Sequence, residues 1–363
     1  MRALRFVVPG AALVMVVAAA AFAGRQPAAE AGKARALKVI RTQPAAATAP
    51  GRPRASEKPV VLAFAGDVHF EDPIASELRS TPATVLASIR PVLERADVAV
   101  VNLETAVTMR GTPASKQYVF RAPPTAFAAL DAGGVDVASM ANNHGLDYGV
   151  EGLRDSMAAA RKARFPVIGI GLNDTHAYRP YRATVRGRRI AVLAATQVID
   201  DHLISAWTAG PRKPGLASAK DVPRLLHAVR EARATSDTVV VFLHWGAELA
   251  RCPTSVQRTL ARQLVAGGAD VIVGGHAHRL LGAGRMGKAL VSYGLGNFVW
   301  YGSSELSTQT GVLLVTVDGR QVKGYRWAPA RIVSGTPRPL TGPERRQEIA
   351  EWRSLRSCTG LKP

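Results

Sequence analysis

Cysteine is nearly absent from this 363-residue sequence, in which only Cys252 and Cys358 occur. Neither lies near residues 21–23, where a lipid-modified N-terminus would need one, and this argues against a lipoprotein. In an exported chain, both thiols would meet an oxidising environment. The sequence is then equally compatible with one disulfide that ties the C-terminal tail to the main domain and with two unpaired buried thiols.

Acidic side chains are also scarce, with 27 Asp and Glu against 47 Lys and Arg, and the formal net charge is +20. Ten basic and two acidic side chains in residues 1–58 account for +8 of this charge. A positive surface favours anionic partners such as phosphates, acidic polymers or anionic lipid. The sequence has no nucleic-acid-binding motif beyond its charge, so we expect no nucleic acid partner.

The N-terminal part of the chain lacks the composition of a folded domain. Arg2 and Arg5 precede an apolar run, and Ala21-Phe22-Ala23 is a cleavage site of the A-x-A type. We therefore expect an exported protein of the cell envelope or extracellular space, anchored in the membrane if the apolar run is not removed. The segment that follows is rich in Ala, Pro and basic residues and has too little apolar surface to fold. The expected divisions are a signal peptide or anchor (1–23), a disordered linker (24–58), a main domain (59–335) and a C-terminal tail (336–363).

Within the main domain, apolar runs of strand type alternate with helical patterns. This alternation predicts a largely parallel sheet, whose ligands bind beyond the carboxyl ends of its strands. The patterns predict helices within Thr84–Arg95 and over Pro124–Asp131, Val150–Ala163, Val222–Arg233 and Thr254–Ala266. After about Ser334, we expect at most one short helix.

At five places an apolar run is followed at once by residues that can bind a metal ion. All five clusters would face one edge of the sheet. They supply eight candidates: Asp67, His69, Glu104, Asn143, His144, His244, His276 and His278.

This set contains imidazoles, carboxylates and a carboxamide but no thiolate, which suits Mn, Fe or Zn. Two such ions held roughly 3.5–4 Å apart can activate a water molecule and bind a phosphoryl or acyl oxygen. Asp67 and His69 are separated by one residue, as are His276 and His278. Alternate residues of an extended strand point in opposite directions, so a turn must bring each pair together. We expect the glycines that precede each pair to supply it.

Six motifs in this sequence occur in the order found in a known family. The motifs are Gly66-Asp67, Asn102-Leu103-Glu104, Ala141-Asn142-Asn143-His144 through Asp147-Tyr148-Gly149, His244-Trp245-Gly246 with Glu248, Gly275-His276 with His278, and Leu295-Gly296-Asn297-Phe298. The sequence thereby resembles CapA-type proteins, the poly-gamma-glutamate capsule synthesis proteins, over most of its length. The domain of that family resembles the calcineurin-like metallophosphoesterases.

The resemblance implies an α/β fold, a four-layer α-β-β-α sandwich of the metallophosphoesterase type. It also implies a site for two divalent ions, with ligands at Asp67, His69, Asn143, His244, His276 and His278 and with Glu104 in place of a bridging Asp. His144 would match the general acid that protonates the leaving oxygen, and a role as a ligand or as a support for the ligands fits its position equally well.

Three further residues are expected to support the site or contact substrate. Asp147 would orient His144 or cap the helix that follows it. Glu248 would line the cleft, although an acid at a helix start is the simpler interpretation. Asn297 would contact substrate, and a structural role as a turn asparagine fits it equally well.

Two functions are compatible with these residues. The first is a metal-dependent hydrolase in capsule biosynthesis, in which a metal-bound hydroxide attacks a phosphoester, or an amide or ester of an acidic polymer, and His144 acts as general acid. The second is a non-catalytic accessory protein that binds a polyanion during capsule polymer export or anchoring. In either case we expect an anionic polymer or a phosphate-containing substrate as partner, together with membrane-associated capsule synthesis machinery.

Overall fold

The computed structural model describes residues 58–363 of the chain. These residues all belong to one compact unit. The expected signal peptide or anchor and nearly all of the expected linker lie outside the described residues. In the part that is described, none of the helices combines the length and the apolar character that crossing a membrane requires.

Eighteen strands are present in the described part of the chain. They are β1 (Val60–Val68), β2 (Val98–Leu103), β3 (Ala106–Val107), β4 (Arg121–Ala122), β5 (Val137–Ser139), β6 (Val167–Ile168), β7 (Ile170–Gly171), β8 (Tyr181–Val185), β9 (Arg188–Thr196), β10 (Gly215–Leu216), β11 (Thr238–His244), β12 (Val271–Gly275), β13 (Leu280–Met286), β14 (Ala289–Leu295), β15 (Asn297–Val299), β16 (Gln309–Asp318), β17 (Gln321–Val333) and β18 (Thr336–Pro339).

Ten α-helices are described, besides three short 3-10 helices at Pro82–Thr84, Asp201–Leu203 and Leu355–Cys358. They are α1 (Ala75–Ser80), α2 (Arg90–Leu93), α3 (Thr125–Ala132), α4 (Gly149–Ala163), α5 (Asp174–Ala177), α6 (Ile204–Trp207), α7 (Val222–Thr235), α8 (Ser255–Gly267), α9 (Glu305–Thr308) and α10 (Gly342–Ser354).

The strands form two large mixed sheets. The first has the order β18-β17-β16-β1-β2-β5-β6, with β15 paired to β1, and the second has the order β13-β14-β12-β11-β9-β8. Neighbours are parallel in the middle of each sheet, from β1 to β6 and from β9 to β14, whereas β16–β18, β13 and β8 add antiparallel edges. The predicted parallel arrangement is therefore correct for the centre of each sheet, where the site residues lie.

Three apolar cores separate four layers. Alternate strand residues point to opposite faces, so Phe64 of the first sheet and Phe242 of the second meet in the core between the sheets. On the outer face of the first sheet, Leu153 of α4 packs in a second core. On the outer face of the second sheet, Leu260 of α8 packs in a third. The expected four-layer α-β-β-α sandwich is confirmed.

Residues after 335 are part of this sandwich rather than a separate tail. Strand β18 pairs antiparallel with β17, and the backbone of Lys362 pairs with that of Arg285 in β13. Trp352 of α10, only 4% exposed, belongs to the core between the sheets. Cys358 forms a disulfide with Cys252, which settles the question that the sequence left open. The boundary expected at residue 335 therefore does not mark the edge of the fold.

The helix expected within Thr84–Arg95 is present but short. That segment contains only the end of a 3-10 helix and the four-residue helix α2. Pro91 lies in the first turn of α2, because proline lacks the N–H that would continue a helix from the preceding turn. The other predicted helices are present at nearly the expected bounds.

Candidate metal centre

The carboxyl ends of parallel strands from both sheets bring the candidate residues together. Asp67 near the end of β1 pairs in register with Asn102 of β2 and with Asn297 of β15. In the second sheet, His244 ends β11 and pairs in register with Gly275 of β12. Because these strand ends meet at one edge of the sandwich, residues distant in sequence share one buried site.

Two buried carboxylates lie at the centre of the site. Asp67 Oδ1 accepts a hydrogen bond from Asn102 Nδ2 at 2.8 Å, and its Oδ2 accepts the backbone N–H of His276 at 2.9 Å. Burial and then the charge of Glu104 raise the pKa of Asp67 to about 6. Glu104 is fully buried, and neither of its carboxylate oxygens has a hydrogen-bond partner among the described residues. Burial raises the pKa of Glu104 as well.

The backbone of two histidines makes the turn that follows β12. His276 and His278 have φ values of 89° and 52°, in the left-handed region that residues other than glycine seldom adopt. The expectation that the preceding glycines form the turns is therefore wrong, since Gly275 lies within β12 and Gly66 within β1. Gly275 is needed for space instead, because a Cβ there would overlap Oδ1 of Asp67.

His244 points its ring at two other candidate ligands. Its Nε2 lies 2.7 Å from Oδ1 of Asn143 and 3.3 Å from Oε1 of Glu104, and its Nδ1 lies 3.1 Å from Asn102 Nδ2. Burial lowers the pKa of His244 to about 3 and lowers that of His276 well below its ordinary value. Both imidazoles are therefore neutral, which is the form that binds metal ions.

Asn297 supports the ring of His278. Its side-chain amide donates to the carbonyls of His278 and Ser307 at 3.3 and 3.0 Å. Its Oδ1, at 2.9 Å, is therefore the acceptor for the Nδ1–H of His278, which leaves Nε2 of that ring with the free lone pair. Glu248 is exposed, yet one of its oxygens lies within 4.8 Å of ring nitrogens of His276 and His278. Asn297 thus orients a ring, and Glu248 lies at the mouth of the site.

His144 is held from one side by Asp147. Its Nδ1 lies 2.6 Å from Oδ2 of Asp147, and since a carboxylate only accepts hydrogen bonds, Nδ1 is the donor. Asp147 also accepts the backbone N–H of Phe120 at 2.6 Å and the ammonium group of Lys116 at 3.0 Å. The other ring nitrogen, Nε2, faces Oε1 of Glu104 at 4.0 Å. Asp147 therefore orients the imidazole and does not cap α4, whose N-cap has no side-chain hydrogen bond.

His69 lies in an aromatic enclosure beside the centre. Its ring packs against those of Phe120, Trp300 and Tyr301, with centroids 4.9, 4.2 and 4.7 Å away. The backbone N–H groups of Glu71 and Tyr301 point at its two ring nitrogens, at 3.2 and 3.4 Å. Its role as a ligand stays a prediction, and this arrangement does not support it.

The remaining residues fit a metal cation. Potential ligand atoms of three groups lie within 4.8 Å of one another: Glu104, His244 and His276; Asp67, Glu104 and His278; and Glu248, His276 and His278. The oxygens of Glu104 and Nδ1 of His276 are buried and have no hydrogen-bond partner among the described residues. A buried unpaired carboxylate is strongly unfavourable, so a divalent ion bound there would remove that penalty. The donor set again suits Mn, Fe or Zn.

Four residues that the sequence did not single out complete the site. Asn142 donates to Oδ1 of Asn102 at 3.0 Å and accepts the backbone N–H of His144 at 3.0 Å. Asn102 and Asn142 both lie within motifs named above, and their position beside candidate ligands in the sequence could have indicated that they support the site. Lys116 and Phe120 lie in a loop without any local motif, so only the fold reveals them.

Comparison with known proteins places the chain in a family. The model of the family "Bacterial capsule synthesis protein PGA_cap" matches residues 61–301. The capsule biosynthesis protein CapA of Bacillus anthracis is 28% identical over 306 residues, which cover 81% of this chain and 72% of that protein. The PGA biosynthesis protein CapA of Bacillus subtilis (strain 168) is 27% identical over 290 residues, which cover 78% and 75%.

Among solved structures, one described as a novel phosphatase from Mycoplasma pneumoniae is 15% identical and covers 80% of this chain and 96% of that chain. Its TM-score of 0.45 is too low to carry a functional inference. The family match covers well over half of the chain and includes every candidate residue of the centre. The chain therefore belongs to the PGA_cap family of bacterial capsule synthesis proteins, the CapA-type proteins.

Proposed function

We propose that this protein is an exported CapA-type protein of capsule or poly-gamma-glutamate biosynthesis that hydrolyses its substrate at a centre for two divalent ions. The observation that carries the proposal is Glu104, a fully buried carboxylate on which imidazoles converge and whose oxygens find no hydrogen-bond donor in residues 58–363. An apolar or hydrogen-bonded residue would suit a purely structural position better, because an unpaired buried charge destabilises a fold.

The residues that would hold the ions are those whose ligand atoms converge. The ions would be held by Asp67, Glu104, His244, His276 and His278. Asn143 lies beside this group, because its Oδ1 is 2.7 Å from Nε2 of His244. When bound, divalent ions supply Lewis acidity, which lowers the pKa of water and neutralises charge on phosphoryl or acyl oxygens.

His144 would carry the proton for the leaving group. Its Nδ1–H is fixed by Asp147, so the nitrogen that faces the centre is Nε2. Lys116 and the backbone of Phe120 in turn hold Asp147, and Phe120 stacks on the imidazole with centroids 4.1 Å apart. A ring held by one hydrogen bond and one stacking contact loses little freedom when it acts as a general acid, and such catalysis contributes about 10²–10⁴-fold.

Export and the class of substrate are part of the proposal. The disulfide between Cys252 and Cys358 supports a location in an oxidising compartment such as the cell envelope or extracellular space. The positive charge supports an acidic polymer or a phosphate-containing substrate. Membrane-associated capsule synthesis machinery is the partner we infer from the family.

Hydrolysis of a chromogenic phosphodiester by the full-length protein, with and without Mn²⁺, tests this function. We expect Mn²⁺-dependent activity that His276→Ala abolishes and that His144→Gln lowers by about 10²-fold or more without loss of bound metal. Unchanged activity in His276→Ala would refute the metal mechanism. Stoichiometric metal binding without any turnover would instead favour the non-catalytic, polyanion-binding role.

A further inference from the structure

Three aromatic rings form a wall beside the metal centre. Phe120 stacks on the imidazole of His144, with centroids 4.1 Å apart, and lies 6.0 Å from Trp300. Trp300 in turn lies 4.4 Å from the ring of His278 and stacks on Tyr301 at 5.5 Å. We call Phe120, Trp300 and Tyr301 the aromatic wall. It connects the proposed general acid with a candidate metal ligand.

Tyr301 is the accessible end of the aromatic wall. It is 47% exposed, whereas Phe120 and Trp300 are 8% and 6% exposed. The ring of Tyr301 meets that of His69 edge to face at 4.7 Å, and the backbone N–H of Tyr301 points at Nε2 of His69. Tyr118, which precedes Phe120 by two residues, is 56% exposed. Exposed tyrosine rings offer a rigid apolar face to a ligand, and little conformational entropy is lost when they bind one.

Acidic groups surround the exposed ring of Tyr301. The pKa of its phenol is raised by burial and then by four such groups: Tyr118, Glu104, Glu248 and Glu71. Glu248 is exposed at the mouth of the site, and the backbone N–H of Glu71 lies 3.2 Å from Nδ1 of the imidazole that Tyr301 contacts. Negative charge here would repel a carboxylate or a second phosphate placed against the ring. Although the chain as a whole is basic, this side of the centre favours an uncharged group.

We propose that the aromatic wall selects phosphoesters whose leaving group carries an uncharged ring with a flat, apolar face. The inference rests on the proposed hydrolase function, since it places the leaving group on the side of the centre where His144 lies. The leaving oxygen must come within hydrogen-bond reach of Nε2 of His144. Phe120 covers one face of that imidazole, and Tyr301 lies 6.3 Å from Phe120. A ring attached to the leaving oxygen can therefore pack against Tyr301.

This preference divides the substrates that suit the metal centre. A short acyclic leaving group would leave the ring of Tyr301 in water, so it would gain nothing from the aromatic wall. A chain of carboxylates would place negative charge beside Glu71 and Glu248. The centre would therefore act on a small phosphoester rather than on the backbone of an acidic polymer.

Binding of three phosphonates to the Mn²⁺-loaded, full-length protein, measured by isothermal titration calorimetry, tests the inference. In benzylphosphonate and ethylphosphonate a methylene replaces the leaving oxygen, so neither compound is hydrolysed, and 4-carboxybenzylphosphonate adds a charge to the ring. We expect benzylphosphonate to bind about tenfold more tightly than ethylphosphonate, and more tightly than the carboxylated compound. Tyr301→Ala should reduce the tenfold ratio to about threefold or less, whereas Tyr301→Phe, which keeps the ring, should retain it.

Tyr325→Ala is the matched control, because this tyrosine lies far from the aromatic wall. Tyr325 pairs through Val315 with Leu62, near the start of β1, whereas Asp67 lies near the end of that strand. The control should keep the ratio of the unaltered protein.

The inference fails if the unaltered protein binds benzylphosphonate and ethylphosphonate equally, or if Tyr301→Ala leaves their ratio unchanged. Binding of the carboxylated compound as tight as that of benzylphosphonate would exclude the preference for an uncharged ring, and absence of binding of all three would exclude the site. Hydrolysis of the chromogenic phosphodiester without this selectivity would overturn the inference alone. Selectivity without any hydrolysis would overturn the proposed function and leave the ring-binding surface in place.

Discussion

Replacement of Glu104 by Gln should have opposite effects on thermal stability with and without a metal ion. Glu104 is fully buried and its oxygens have no hydrogen-bond partner among the described residues, so without metal its charge opposes folding. The amide has nearly the same shape and no charge, and we expect Glu104→Gln to equal or exceed the thermal stability of the metal-free, unaltered protein. With Mn²⁺ at about 100 times its Kd, the free energy of unfolding of the unaltered protein should rise by about 2.7 kcal/mol.

For a domain of this size, that gain corresponds to a rise in Tm of about 4 °C. Glu104→Gln should lose most of the rise, because it removes the carboxylate shared by two of the candidate ligand groups. Differential scanning fluorimetry with EDTA and with Mn²⁺ measures both effects. Glu348→Gln is the matched control, since Glu348 is also buried but pairs with Arg331 and belongs to none of the candidate ligand groups; it should lower Tm and keep the Mn²⁺ shift. An equal Mn²⁺ shift in Glu104→Gln and the unaltered protein would refute the reasoning.

Three further predictions follow from contacts elsewhere. Asp147→Asn replaces an acceptor of the His144 Nδ1–H, so kcat for the phosphodiester should fall while metal content, measured by elemental analysis, stays constant. Cys252→Ser opens a loop with a sequence separation of 106 residues, and urea unfolding should show a loss of up to about 4.7 kcal/mol that vanishes when both proteins are reduced. Trp352→Ala removes a ring that is 4% exposed from the core between the sheets, which should reduce the unfolding free energy by about 3–5 kcal/mol; an unchanged urea midpoint would show that α10 does not stabilise the sandwich.

The site residues at the strand ends could be predicted because the sequence patterns that mark them are local. Each buried strand is a short apolar run, and polar residues such as Asp67 and His244 follow it directly. Parallel pairing then gathers these ends at one edge without any knowledge of long-range contacts. The same reasoning placed His276 and His278 in the site, although it assigned their turn to glycines whereas the imidazole residues carry the positive φ angles.

Other parts of the molecule depend on contacts that no local pattern encodes. Lys116 and Phe120 reach Asp147 from a loop with no motif, and the aromatic enclosure of His69 comes from segments far apart in sequence. The charge-rich sequence after residue 335 resembles a tail, yet Trp352 is buried because α10 covers the open side of the sandwich. A single tryptophan in a polar helix is too weak a signal to predict that packing.

The metal content of the purified protein tests the central claim most directly. After dialysis against Mn²⁺ and removal of free ions, elemental analysis of the full-length protein should find about two equivalents per chain, as a two-metal centre requires. The variant Asp67→Asn, which alters a buried carboxylate of the centre, should retain substantially less. A metal content at background level in the unaltered protein would contradict the account, and so would equal content in the variant.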